Sequence, residues 1–299
     1  MTKKKSPITV ISMAEWKHHQ GTLQWDSSKP LLMGILNVTP DSFSDGGKYN
    51  RLDAAVRQAT EMVEAGASLI DIGGESTRPG ANPVDVEEES RRVLPVIGAI
   101  LSRLPETFIS IDTYKAEVAR QAVDHGAVIV NDISAGRWDA KMSEFVAKSE
   151  CGYVCMHSLD RPQAMQRSPA YDDASLELLH FLKERKKELT EMGIEESRLI
   201  FDVGIGFGKT LEHNLQLIRS GIDGQFDSLD RPLLWGLSRK SFLGAITGAD
   251  VDKRLAGGLA AHAKLLNAAH AQIWRVHDVR EVHEFMTVWH ALDHSERVT

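Results

Sequence analysis

Eight short apolar runs, each followed by a helical pattern, constrain the fold more than any other feature of the chain. The runs are 31–36, 68–72, 108–111, 127–130, 153–156, 199–201, 232–237 and 271–274. Continuous apolar runs of this length are typical of strands buried on both faces. Strands that alternate with helices indicate a parallel sheet, and eight such units in one chain predict a closed (β/α)8 TIM barrel. A doubly wound open sheet is the alternative.

The segments between these runs carry the helical signals. In the first of them, apolar residues recur with a helical period and Gly66 follows the last one. Asp172 and Asp173 are suited to begin a long helix, and Gly193 is suited to end it. The predicted helices are 51–66, 84–104, 115–124, 140–148, 172–192, 211–219, 253–269 and 279–292.

Polar residues stand at the downstream end of most of these apolar runs. They are Asn37, Asp112, Asn131, His157, Asp202, Lys240, Arg275 and His277. In a barrel the carboxyl ends of all strands meet on one rim, where active sites are built, whereas an open sheet would spread them along an edge. The pattern therefore favours the barrel and predicts a functional site on its rim. The loops after the first two runs are rich in Gly, Ser and Pro, and we expect them to close over this site.

The first 30 residues do not follow the alternation. Residues 8–11 are apolar, and Trp16 and Trp25 stand among polar residues, so we interpret 1–30 as an N-terminal extension that packs on a barrel domain of residues 31–299. The lysines at 3–5 suit a solvated tail. The segment after them has no sustained apolar region of the kind found in signal peptides. No apolar run approaches the roughly 20 residues that span a bilayer.

Composition excludes several classes of function. A net charge of −7 gives no general affinity for nucleic acid. The two cysteines, Cys151 and Cys155, lie in or beside one apolar segment, which indicates buried thiols and a reducing compartment such as the cytoplasm. The histidines show no HExxH pattern, so a zinc site is not expected. On its own, His157 is more typical of a structural histidine.

The glycine-rich segment 203–210 resembles a phosphate-binding loop, but its spacing fails. A P-loop requires glycine where Val203 stands, and a dinucleotide fingerprint requires Gly or Ala where Lys209 stands. Glycines here would instead let the backbone approach a flat ligand beside Asp202 and Phe207.

Basic residues follow the last two apolar runs. Ser238 to Ser241 include Arg239 and Lys240, and Arg275 precedes His277 by two residues. Barrels often bind phosphate with the loops after strands 7 and 8, so a phosphate-type ligand is expected.

Asp112, Asn131 and Asp202 have two interpretations: helix capping with inter-strand bonding, or a buried hydrogen-bonding set. A carboxylate pairs well with the two parallel N–H donors of an amino-pyrimidine.

Seven segments occur in a fixed order and carry a family resemblance. They are NVTPDSFSDGG at 37–47, ESTRPGA at 75–81, SIDT at 110–113, NDIS at 131–134, DVGIGFGK at 202–209, LSRKSFLG at 237–244 and RVHD at 275–278. Together they resemble the dihydropteroate synthase family, whose members are pterin-binding barrels. The resemblance covers nearly the whole chain from residue 31 to the last helix.

The resemblance implies an enzyme of folate synthesis. It would join 7,8-dihydropterin-6-ylmethyl diphosphate to p-aminobenzoate and release diphosphate, with Mg2+ as cofactor and Asn37 as its ligand. The resemblance places the pterin against Asp112, Asn131, Asp202 and Lys240. The catalytic residues that the resemblance implies are Asp202, Lys240, Arg275 and His277. Of these, Arg275 and His277 hold the diphosphate.

Further contacts follow from the same resemblance. The p-aminobenzoate side is implied to include Thr77, Arg78, Phe207 and Ser241, and the remaining substrate-binding residues are Ile133, Met156 and Val276. The family is usually dimeric. The helices after strands 6 to 8 carry apolar residues that suit such an interface, among them Leu265, Leu266, Phe285 and Trp289.

The chain departs from the family at two points. Val203 stands where the family usually has proline, and Ser158, Leu159 and Asp160 replace a usual Gln-Gly stretch. Both changes concern loop geometry and leave the charged set intact. Two other functions share a pterin pocket: a methyltransferase barrel that acts on a methylated folate and a corrinoid protein, and a pterin-binding paralogue without catalysis. The predicted diphosphate-binding residues disfavour both.

Overall fold

The computed structural model describes residues 13–39 and 48–293. Eight parallel strands close into a barrel in the order β10-β3-β4-β5-β6-β7-β8-β9. They are β3 (Leu31–Asn37), β4 (Leu69–Gly73), β5 (Phe108–Asp112), β6 (Ile129–Asp132), β7 (Gly152–Met156), β8 (Leu199–Asp202), β9 (Leu233–Trp235) and β10 (Gln272–Val276). Strand β10 pairs with β3, with Ile273 opposite Leu31, so the sheet has no free edge. The predicted (β/α)8 barrel is confirmed, and the open sheet is excluded.

Helices cover the outside of this barrel. They are α1 (Lys48–Glu64), α2 (Val86–Arg103), α3 (Ala116–Asp124), α4 (Lys141–Ser149), α5 (Ala174–Glu191), α6 (Leu211–Ile222), α7 (Ser241–Thr247), α8 (Leu255–Leu265) and α9 (Val279–Asp293). Asp173 caps α5 by accepting from the backbone N–H groups of Ser175 and Leu176. The single helix predicted at 253–269 is wrong in its extent. Two helices follow β9, and the short α7 begins directly after Lys240.

The strands bury different layers on their two faces. Outward-facing residues such as Ile72, Ile111 and Val130 pack against the helices in the main hydrophobic core. Inward-facing residues of the lower half form a second apolar cluster, which includes Leu31, Met33, Leu69, Ile129, Val154, Ile200, Leu234 and Ile273. Because successive side chains alternate between faces, the next inward positions toward the carboxyl ends are Asp71, Asn131, Asp202 and Arg275. The barrel interior is thus apolar below and polar above.

An antiparallel hairpin closes the lower end of the barrel. It consists of β1 (Met13–His18) and β2 (Gly21–Asp26). Trp16 is fully buried in the lower apolar cluster, and its indole Nε1 donates to the backbone oxygen of Arg198 at 2.9 Å. Arg231 adds a tie by donating to the backbone oxygen of Glu15 at 2.9 Å. The apolar piece at 8–11 and the lysines at 3–5 lie outside the described residues.

Two smaller findings concern the predictions from composition. Cys151 and Cys155 are free and buried. Within 13–39 and 48–293, every helix is too short or too polar to cross a bilayer.

Candidate active site

A pocket opens at the carboxyl ends of the strands. Its polar lining is formed by Thr77, Asp112, Asn131, Asp202, Lys240 and Arg275, and its apolar lining by Ile133, Met156, Ile205, Phe207 and Gly236. These residues come from the ends of β5 to β8 and β10 and from loops after β4, β6, β8 and β9. Nine of the residues that the sequence implied to bind substrate therefore meet at one place, among them Phe207 from the glycine-rich loop.

Arg275 is the centre of the polar set. Its Nε donates to Asp71 Oδ2 at 2.6 Å, and its Nη2 donates to Asp112 Oδ2 at 2.7 Å. Burial lowers the pKa of Arg275, but the two carboxylates raise it by more. The net pKa lies above the ordinary value, so the guanidinium stays charged. Arg275 donates one N–H to each carboxylate, from Nε and Nη2. Its Nη1 takes part in neither bond and can donate to an anion.

Asp71 is a site residue that the sequence analysis missed. It is fully buried within β4, and its Oδ2 also accepts from Asn131 Nδ2 at 2.9 Å. Asp71 thus fixes both Arg275 and Asn131. The available signal was a charged residue inside the run LIDIG, because a carboxylate buried on a strand requires a charged partner.

Asp112 carries a strongly perturbed carboxyl group at the pocket. Burial raises its pKa, Arg275 opposes this, and nearby Asp71 raises it again, to about 7. Asp112 Oδ1 has no hydrogen-bond partner within the described part of the chain. The carboxyl group is therefore ready to exchange a proton or to accept from a ligand donor near neutral pH.

Asp202 lines the same pocket as Asp112 and is held by the loop that follows it. Its Oδ1 accepts from the backbone N–H of Gly204 at 2.7 Å. Burial raises the pKa of Asp202, whereas that hydrogen bond and the charges of Lys240 and Arg275 lower it. This bond closes a turn in the loop and does not cap a helix, because Thr210 caps α6. The capping interpretation is therefore wrong for Asp202, which lines the pocket.

Lys240 lies against the aromatic wall of the pocket. Its Nζ is 4.2 Å from the centroid of the Phe207 ring. Burial lowers the pKa of Lys240 to about 8, while Asp202 raises it and Arg275 lowers it. Phe207 belongs to a small apolar cluster with Ile133 and Met156. The pocket therefore combines a flat apolar wall with donors and acceptors at its rim, which suits a planar heterocycle.

His277 is neutral in this arrangement. Its pKa is lowered to about 3, first by burial and then by Arg275 and Arg239. Ser238 Oγ accepts from the backbone N–H of His277 at 3.2 Å and lies 3.1 Å from its Nδ1. A neutral imidazole allows the serine hydroxyl to donate to Nδ1, with the proton of the ring on Nε2. In that tautomer the Nε2–H can donate to an anion.

Four implied substrate-binding residues do not line the pocket, and His277 is one of them. The side chains of Arg78 and Ser241 are exposed, on the loop after β4 and at the first position of α7. Val276 is fully buried in the core between the barrel and the helices, so only its backbone can face a ligand. The loop after β4 is anchored at Glu75, which accepts from Tyr114 and Lys115 at 2.6 Å. Most of the loop after β3 lies outside the described residues.

The residues near the end of β4 are suited to a hard cation. A Cβ at Gly73 would lie 3.6 Å from Asp112 Oδ2 and 3.7 Å from Asn37 Oδ1, so both oxygens face the same place. Carboxylate and amide oxygens are the donors that Mg2+ prefers. Across 13–39 and 48–293, no cluster of three or more His, Cys, Asp or Glu side chains is placed to hold a metal. The set therefore fits an ion that brings most of its ligands with a phosphate substrate.

Comparison with known proteins gives a consistent result. The sequence profile of the family described as "Pterin binding enzyme" matches residues 33–277. Dihydropteroate synthase of Escherichia coli K12 is 46% identical over 271 residues, which cover 90% of this chain and 93% of that protein.

Two solved structures extend the comparison to the fold. The Xanthomonas albilineans dihydropteroate synthase with 4-aminobenzoic acid has a TM-score of 0.86 and 40% identity, over 94% of this chain and 99% of that one. The structure of the same bacterium's enzyme with 7,8-dihydropteroate has a TM-score of 0.79 and 39% identity, over 90% and 96% of the two chains.

Proposed function

The chain belongs to the pterin-binding enzyme family, among its dihydropteroate synthases, and from this premise we propose how its pocket carries out the reaction. It condenses 7,8-dihydropterin-6-ylmethyl diphosphate with p-aminobenzoate, giving 7,8-dihydropteroate and diphosphate. The observation that carries the assignment is the meeting of Asp112, Asn131, Asp202, Lys240 and Arg275 around one pocket. This set offers acceptors and donors for a pterin edge beside cations for a diphosphate.

The pterin ring lies in the pocket against Ile133 and Met156, and Phe207 stands on the side of p-aminobenzoate. Asp112 and Asp202 accept from the N–H donors of the amino-pyrimidine edge, and Asn131, held by Asp71, adds an oriented amide. Lys240 donates to an acceptor on the ring. The apolar wall excludes water from both faces of the ring, which strengthens each of these polar contacts.

Bond breaking separates charge, and the pocket is arranged for that separation. The bond between the methylene carbon and the diphosphate oxygen breaks, and its electron pair leaves with the diphosphate. Arg275 and the Nε2–H of His277 face the growing negative charge. The carboxylate of Asp202 stabilises the cation that remains conjugated with the pterin. The amine nitrogen of p-aminobenzoate then forms the new C–N bond and releases a proton.

Mg2+ is proposed as the cofactor, with Asn37 among its ligands and Asp112 nearby. When bound with the substrate it neutralises diphosphate charge. The assay that tests the function measures diphosphate release and dihydropteroate formation with both substrates, with Mg2+ and with excess chelator. We expect product only with Mg2+. Full activity in chelator would exclude the metal, and no product under any condition would exclude the synthase activity.

A homodimer and a cytoplasmic location are also proposed. An apolar groove of about 640 Å3 runs between α6, α7 and α8, and Ile246 at its edge is 56% exposed. This groove suits a dimer interface. Leu265, which the sequence analysis named for that interface, is fully buried in the core and cannot contact a second copy. A solution mass of twice the chain mass, lost on Ile246→Glu, would support the dimer; a monomeric wild type would exclude it. The buried free thiols suit the reducing cytoplasm.

A further inference from the structure

A lysine that does not line the pocket is buried directly behind it. Lys209 is only 4% exposed, and its Nζ lies 3.1 Å from His157 Nδ1, 3.1 Å from the backbone oxygen of Phe207 and 3.4 Å from the backbone oxygen of His157. A protonated lysine has three N–H donors, and three acceptors surround it here. The geometry therefore fits the ammonium form, with each proton used.

The pKa of His157 agrees with its role as acceptor, while the assignment of Lys209 as donor rests on the three acceptors around it. Burial lowers the pKa of His157 to about 2, and Lys209 lowers it as well, so the imidazole is neutral and its Nδ1 accepts. Burial lowers the pKa of Lys209 to about 7, Asp202 raises it, and Lys240 and Arg137 lower it. These charged groups come from β8, from the loop after β9 and from the loop after β6.

The lysine ties the end of β7 to the glycine-rich loop after β8. In that loop, Phe207 N–H donates to the oxygen of Gly204 at 3.1 Å, and Gly204 N–H donates to Asp202 Oδ1. Gly204 has φ +67°, and a Cβ there would lie 1.9 Å from the oxygen of His157 and 3.2 Å from Lys209 Nζ. The turn therefore rests directly on the Lys209–His157 pair, with no room for a side chain.

Phe207 is consequently held from two sides. Lys209 binds its backbone oxygen from behind, while Lys240 packs on its ring from within the pocket. Gln166 Nε2 secures the neighbouring Gly206 oxygen at 2.7 Å. Lys209 thus holds the loop that carries Phe207 and that donates to the Asp202 carboxylate through Gly204.

We propose that Lys209 is a positioning residue of this enzyme, which sets Phe207 and Asp202 through the loop without touching a substrate. The proposal rests on the proposed function, since it assigns Phe207 to the arylamine side and Asp202 to the pterin. Removal of Lys209 should therefore affect the KM for p-aminobenzoate and kcat, in a folded protein.

The test compares Lys209→Met with Lys186→Met in the full-length chain. Lys186 is a matched control because its Nζ also holds a backbone oxygen, that of Leu229 at 3.0 Å, and a partner carboxylate on Glu196, far from the pocket. Two readouts are measured: steady-state kinetics with both substrates, and hydrogen–deuterium exchange of the amides at 204–208 without substrate. For Lys209→Met we expect a rise of about tenfold in the KM for p-aminobenzoate and in loop exchange, the scale of one lost hydrogen bond. Lys186→Met should stay within twofold of the wild type.

A second pair of variants keeps the proposal testable if Lys209→Met does not fold. His157→Asn retains an acceptor near the position of Nδ1, whereas His157→Leu removes it. We expect exchange at 204–208 to rise in the leucine variant and to stay near wild type in the asparagine variant. Equal behaviour of these two, or a folded Lys209→Met with both readouts within twofold of the wild type, would overturn the proposal. The exchange measurement needs no substrate, so it tests the role of Lys209 even if the wild type does not turn over. A lack of wild-type turnover would contradict the proposed function instead.

Discussion

The two ends of the barrel interior are built from the same strands with opposite chemistry. The lower end is filled by apolar residues and closed by the hairpin, with Trp16 as its largest buried side chain. The upper end contains Arg275, which is paired with Asp71 and Asp112, and the buried carboxylate of Asp202. Hydrophobic burial stabilises the lower end without desolvating charged groups. At the upper end the free energy of desolvation offsets much of what the ion pairs contribute. The comparison teaches that stability and chemistry are separated along the strand axis.

The largest effect should come from breaking the lower end. Trp16→Ala removes a fully buried side chain and its bond to Arg198, so we expect a loss of about 3–5 kcal/mol in the free energy of unfolding. The kcat of the remaining folded enzyme should not change. Denaturant unfolding and active-site titration measure the two quantities. Trp16→Phe, which keeps an aromatic ring, should lose less. A Trp16→Ala enzyme of normal stability and low kcat would reverse the proposed separation.

At the upper end, the neutral isostere of Asp202 should damage chemistry and spare stability. Asp202→Asn removes the charge that stabilises the developing cation, so kcat should fall about 10²–10³-fold, and pterin affinity should fall too. Asp112→Asn should reduce kcat less, because Asp112 mainly orients the ring. Single-turnover rates at saturating pterin diphosphate decide between the roles. A wild-type rate in Asp202→Asn would make that carboxylate purely positional.

A smaller effect is expected on ligand binding. Lys240→Ala leaves an acceptor of the bound pterin unpaired and should weaken pterin binding by about 1–3 kcal/mol. Titration calorimetry measures the loss, with Lys186→Ala as a distant control. Unchanged affinity would show that Lys240 serves only to pack on Phe207.

A further effect concerns the pH dependence of stability at the upper end. The pKa of Asp112 is raised from its ordinary value near 3.8 to about 7, chiefly by burial, so folding favours its protonated form. Its contribution to stability is present below about pH 4 and is lost as the pH rises through 7. Asp112→Asn mimics the protonated form. Relative to the wild type, its stability should increase across this window by up to about 4 kcal/mol, since each pKa unit corresponds to about 1.4 kcal/mol. The exposed Asp53→Asn should show no such trend; a flat difference for Asp112→Asn would contradict the shift.

The sequence predicted the barrel because each buried strand is a continuous apolar run. It predicted most of the rim because polar residues end those runs. Asp71 escaped notice because it lies inside a run, and its partner Arg275 is 204 residues away. Only the closed barrel brings the two together.

Other features were missed for similar reasons. The hairpin has no clear hydrophobic pattern in the sequence. The role of Trp16 depends on the apolar layer of the barrel interior that it covers. Helix α7 is seven residues long, too short for a periodic signal. Lys209 stands in a motif that fails as a nucleotide loop, and its burial depends on His157 from another strand. In each case a contact distant in sequence decides the role.

The pairing of β10 with β3 has a consequence for synthesis of the chain. During translation the first barrel strand leaves the ribosome long before the last, so the seam between them forms last. Until Arg275 appears, the carboxylate of Asp71 lacks its cation, and the edges of β3 and β9 stay open to wrong partners. A nascent chain that stops before β10 would therefore expose the unpaired edges of β3 and β9, which can pair with other strands, and the unpaired carboxylate of Asp71. The last strand completes the fold and the pocket in one event.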